Sequence, residues 1–119
     1  FSGAIDDTTV HVDGSSETAP SPVQMLSTAL AGCMAIDIVD ILAKMRTPAD
    51  SLCVDLAVER VKQAPRRVAS AEMAFTILGN VPEKNVSRAI EMSRETYCSV
   101  WHSLQPDIEF QTTFKLNPS

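Results

Sequence analysis

SPVQMLSTALAGCMAIDIVDILAKM, residues 21–45, decides the fold. Ser21-Pro22 reads as a helix start, with Ser21 as N-cap and Pro22 at the first helical position, where its missing N–H costs nothing. Apolar residues then recur at helical spacing, with Leu26, Leu30, Cys33, Asp37 and Ile41 on one side. Met25, Ala29, Met34, Ile38 and Leu42 widen that side until the helix is apolar almost all round, which predicts burial on most faces. Ala29, Ala31, Gly32 and Ala35 are small enough to let another backbone approach closely. Thr47-Pro48 ends the run, because the residue before a proline disfavours helical backbone. Asp37, Asp40 and Lys44 interrupt the apolar surface, so a membrane-spanning helix is not expected.

Outward from this helix the periods change. Upstream, Ile5, Val10 and Val12 alternate loosely and predict a short hairpin turned near Asp6-Asp7, followed by a loop, DGSSETAPSP. Downstream, residues 51–62 alternate Leu52, Val54, Leu56 and Val58 against Cys53, Asp55, Ala57 and Glu59, the period of a half-buried strand. QAPRR makes a turn, and residues 68–78 return as a second strand ending at Gly79-Asn80. A second helix is predicted over Glu83–Tyr97, with Val86 and Ile90 at turn spacing and Glu83 suited to the positive end of the dipole. SVWHSL follows as a short further helix, and DIEFQTTFKL, residues 107–116, is the last strand. The order β-β-α-β-β-α-β is that of an α+β chain. The 119 residues suffice for one domain with its own core, residues 1–119, and show no repeat or linker.

Composition narrows the function. The formal net charge of -5 disfavours nucleic acid, whose binding rests on neutralising phosphates with Lys and Arg. Three cysteines, an odd number, suit a reducing compartment better than a disulfide framework, so a cytoplasmic protein is expected. No Gly-rich phosphate loop or G-x-S-x-G elbow occurs, and no cofactor is implied. Cys98 stands 65 positions after Cys33, a separation unlike the close ligand pairs of zinc sites, and neither His11 nor His102 has a ligand pattern around it. No metal site is expected.

The cysteines remain. Cys33 lies mid-helix on the side predicted to be buried, where a free thiol usually serves as a small hydrophobe. Cys53 is on the polar face of a strand and reads as incidental. Cys98 falls between two helices, and a thiol at a helix N-terminus meets unpaired N–H groups that lower its pKa. His102, four residues later, leaves a Cys-His hydrolase open as an alternative.

The segments SPVQMLSTALAGCMAIDIVDIL (21–42) and RAIEMSRETYCSVWHSL (88–104) resemble the central helix and the second-cysteine helix of the OsmC/Ohr family. VERVKQAPRRVASAEMAFTILGN (58–80) is similar to that family's central hairpin and DIEFQTTFKL to its last strand. The GCMAIDIV and YCSV stretches are nearest to a small OsmC-like branch. The resemblance spans residues 12–116 and implies an intertwined homodimer, with long central helices packed on antiparallel sheets and active sites at the subunit interface. It implies a thiol-dependent peroxidase of oxidative-stress defence, in which Cys33 attacks an organic hydroperoxide and Cys98 closes a disulfide that a dithiol reductant reopens. No nucleic acid or membrane is implied as partner.

Two departures stand out. Members of the family hold the thiolate with an Arg oriented by a Glu; the matching acidic positions are here Val23 and Gln24, neither of which carries charge. The family Arg belongs to an early segment, and the chain as given is expected to lack a first strand. Asp37, one turn beyond Cys33, opposes thiolate formation unless it anchors an arginine, either Arg94 or one from a partner subunit, which would rebuild the Glu-Arg arrangement from new parts. The alternative function is a catalytically weak OsmC-like protein that senses redox state or binds a small molecule.

Overall fold

The computed structural model describes residues 1–119. Its elements are β1 (Ser2–Ile5), β2 (Thr8–His11), α1 (Pro22–Lys44), β3 (Ser51–Arg60), β4 (Val68–Leu78), α2 (Glu83–Met92), a π-helical turn (Ser93–Tyr97), α3 (Ser99–His102) and β5 (Glu109–Leu116). The α+β order expected from the sequence is therefore present. Ser21 caps α1 by accepting from the Gln24 N–H, while the Gln24 side chain reaches back to the Ser21 N–H, a reciprocal pair that fixes the helix start.

The strands form two sheets. β1 and β2 pair antiparallel as an isolated hairpin, and β3-β4-β5 form a three-stranded sheet. The expectation of antiparallel sheets holds for β1–β2 and β3–β4. It fails for β5, which lies parallel to β4. The reason is the connection: the chain leaves β4, crosses back through α2 and re-enters the sheet from the same end, which is what a helical crossover does.

One stripe of α1, Leu30, Met34, Ile38 and Leu42, fills the core against Met73, Phe75 and Ile77 of β4 and Val86, Ala89 and Ile90 of α2. Each of these side chains except Ala89 contributes about 1.5–3 kcal/mol relative to exposure. The stripe is turned from the predicted one: Cys33 and Asp37 sit at its edge, half-buried, and Leu26 is 40% exposed. Burial on most faces of α1 is also not met within one chain. Ile36 is 65% and Val39 43% exposed. By length and composition α1 could cross a membrane; its Leu30–Leu42 stripe instead forms the centre of this chain's own core.

A thiol pair beside a carboxylate

Cys33 and Asp37 share one face of α1 because they are four residues apart, a single turn. Cys98 reaches the same place from the other end of the chain through the π-helical turn. There the Cys98 N–H donates to the Ser93 carbonyl at 2.7 Å, a five-residue step that widens the helix and turns Ser93 and Cys98 toward α1. The two sulfurs and an Asp37 carboxylate oxygen all lie within 4.8 Å of one another. All three cysteines are free, with Cys33 half-buried, Cys53 exposed and Cys98 fully buried.

Cys98 is the N-cap of α3, and its sulfur accepts from the Trp101 N–H at 3.4 Å. The sequence expectation was a lowered pKa at this helix start. The structure gives the reverse. Burial pushes the thiol up to about 11; the Trp101 N–H pulls against that rise, and the Cys33 side chain and the Asp37 charge add to it. One N–H from a four-residue helix does not offset removal of the thiolate from water.

The supporting residues are arranged differently from the sequence expectation. Asp37 does not pair with Arg94. Its oxygen accepts a 2.7 Å hydrogen bond from the Ser93 hydroxyl. Arg94 lies instead over the rings of Phe110, at 4.8 Å, and Trp101, at 5.9 Å, where aromatic faces attract its guanidinium. The chain's two ion pairs, Arg67–Asp107 and Arg88–Glu91, are both away from the thiols. Gln24 is committed to the α1 cap and to the Ser16 hydroxyl, nine residues before Cys33 and so about 14 Å along the helix axis. Val23 and Gln24 line an open groove of about 790 Å³ between α1 and β3 that does not include Cys33. Trp101 packs on Phe110 with ring centroids 4.5 Å apart, and Tyr97 is exposed.

Residues 13–113 match the profile of OsmC-like proteins. The chain belongs to the OsmC-like protein family. It is 36% identical over 109 residues to Protein YhfA of Escherichia coli K12, covering 90% of this chain and 81% of that one. The OsmC-like protein of Mycoplasma pneumoniae, at 14% identity, superposes with a TM-score of 0.84 over 97% of this chain and 86% of its own. An organic hydroperoxide resistance protein of Elizabethkingia anophelis, at 15% identity, gives a TM-score of 0.67, covering 92% and 80%. These last two likenesses are likenesses of fold.

The residue that sequence reading missed in this OsmC-like chain is Ser93. It is fully buried, and its hydroxyl holds the site's one carboxylate. A signal was present: Ser93 continues the Val86–Ile90 apolar stripe at helical spacing, and a polar side chain on such a stripe needs a buried partner.

Proposed function

We propose that this protein reduces organic hydroperoxides with Cys33 as nucleophile and Cys98 as resolving thiol. The observation that carries the reading is the approach of the two sulfurs to within 4.8 Å, from positions 65 residues apart. In the first step the Cys33 thiolate attacks the distal peroxide oxygen. The O–O bond breaks, the alkoxide leaves as an alcohol after taking a proton, and Cys33 becomes a sulfenic acid. In the second, the Cys98 sulfur attacks the sulfenic sulfur, hydroxide leaves as water with the Cys98 proton, and a disulfide forms. A dithiol reductant then returns both thiols and leaves as its own disulfide. The division of labour follows from burial: Cys33 is half-buried and reachable by substrate, whereas Cys98 is enclosed and stays protonated at neutral pH. Leu30, Met34 and Trp101 make the surroundings apolar, which suits an organic peroxide better than hydrogen peroxide.

The working unit in this reading is a homodimer. Leu26, Ile36 and Val39 leave an apolar surface on α1 that a second copy would cover, and the site lies at its margin. Three cysteines, none of them paired, support a reducing compartment such as the cytoplasm for this chemistry.

A second reading, a slow redox sensor, draws support from the absence of any ion pair at the thiols and from Arg94 resting on Phe110. Stopped-flow mixing with cumene hydroperoxide separates the two. An enzyme loses one thiol much faster than free cysteine does and then forms an intramolecular disulfide. A Cys33 no faster than free cysteine leaves the sensor.

A further inference from the structure

The thiol chemistry uses two of the three groups that meet at the site. Asp37 has no part in either step, and its charge adds to the rise of the Cys98 thiol. It makes no ion pair, and its hydrogen-bond donor is the uncharged hydroxyl of Ser93. Two sulfurs and a carboxylate oxygen thus converge with no cationic side chain paired to them. We propose that the reduced protein binds a divalent metal ion of borderline softness, zinc being the first candidate, through Cys33 Sγ, Cys98 Sγ and the Asp37 carboxylate.

Geometry and donor chemistry both support this. Two sulfurs sharing a tetrahedral zinc at about 2.3 Å stand about 3.8 Å apart. The 4.8 Å limit therefore leaves the two sulfurs no more than about 1 Å to close. Ligands four residues apart on one helix are a recurrent way of presenting two donors to one ion. Two thiolates exclude magnesium and calcium, which take oxygen ligands, and select zinc or its soft neighbours. Three protein ligands leave a fourth position for water or an exchangeable group. The Ser93 hydroxyl fixes the carboxylate in the way outer hydrogen bonds orient metal ligands.

Binding replaces the thiol protons with the metal, so protons are released to solvent. The bound ion also slows oxidation of both sulfurs. Where hydroperoxide does oxidise the pair, the balance is one divalent ion with its two bound thiolates, one hydroperoxide and two protons going to a disulfide, an alcohol, water and the free divalent ion. That consequence rests on the peroxidase reading; the binding itself does not.

The test is titration of reduced, tag-free protein with Zn²⁺ in competition with a chromogenic chelator, with Co²⁺ as a spectroscopic probe. The expected result is one ion per chain, a sulfur-to-cobalt charge-transfer band in the near ultraviolet, and weakening of about 10–100-fold in Ser93→Ala. Asp37→Asn should weaken binding at least as much. No uptake at equimolar metal, a Co²⁺ spectrum without the thiolate band, or unchanged affinity in Asp37→Asn would each overturn the proposal. Because cysteine variants of a buried position can fail to fold, the wild type supplies its own control. Zn²⁺ should slow alkylation of Cys33 at least tenfold while the exposed Cys53 reacts as before. Equal rates for Cys33 with and without Zn²⁺ refute the site. Inertness toward hydroperoxide counts against the peroxidase reading alone.

Discussion

Raising the pH should accelerate disulfide closure in step with the ionised fraction of Cys98. Thiolates, not thiols, attack sulfenic sulfur, so the second step depends on the ionised fraction of Cys98. With the Cys98 thiol at about 11, that fraction is about one in ten thousand at pH 7 and about one in a hundred at pH 9. Closure should therefore quicken by about a hundredfold between those pH values. The influence of the Cys33 thiol disappears once it becomes a sulfenic acid. Burial, the largest cause of the rise, stays. The assay is stopped-flow fluorescence of Trp101, the single tryptophan, whose backbone N–H contacts the Cys98 sulfur. Protein stripped of metal by a chelator is mixed with one equivalent of cumene hydroperoxide, and the slower phase is followed across pH. A closing rate that is flat from pH 7 to 9, or levels off near pH 8, would show that burial does not control Cys98.

Other outcomes follow from the same contacts. Cys98→Ser should leave the first oxidation intact and let Cys33 proceed to sulfinic acid under excess peroxide, read by mass spectrometry. The reduced wild type should lose stability as pH rises from about 9 toward 11. A thiol whose folded pKa is raised favours the folded state below its unfolded value and loses that contribution as pH passes the folded one; urea melts at stepped pH measure it. Gly79→Ala should destabilise the β4–α2 turn by about 1–3 kcal/mol, because φ is +141° and a Cβ there would stand 2.9 Å from the Asp50 nitrogen. A thermal midpoint equal to wild type would contradict that.

Much of the fold was legible because its signals are local. The Ser21-Pro22 start, the alternation of β3 and β4 and the Asp6-Asp7 turn are each written within a few residues. The direction of β5 was not, since parallel pairing depends on where α2 delivers the chain. The fate of α1's outer face was not either: Ile36 and Val39 look the same in sequence whether their own chain or a second copy covers them. At the site, Cys33 and Cys98 could be named through family resemblance, but their contact could not be read from a 65-residue separation. The spacing rule that spoke against a metal applies to ligands close in sequence. It is blind to Cys98, which the π-helical turn brings to Cys33 and Asp37 from a different helix. The expectation that Asp37 anchors an arginine, Arg94 or one from a partner subunit, rested on the i, i+4 spacing of Cys33 and Asp37; within the chain, Arg94 does not take that place. The Ser93 hydroxyl takes the carboxylate instead, and the Phe110 face seats the guanidinium.

The most direct measurement is a peptide map of the protein after one equivalent of organic hydroperoxide. The expected result is the Cys33 and Cys98 peptides joined with the loss of two hydrogens, and Cys53 still a thiol. Cys33 recovered as a sulfinic acid beside a free Cys98, or untouched while Cys53 reacts, would contradict it.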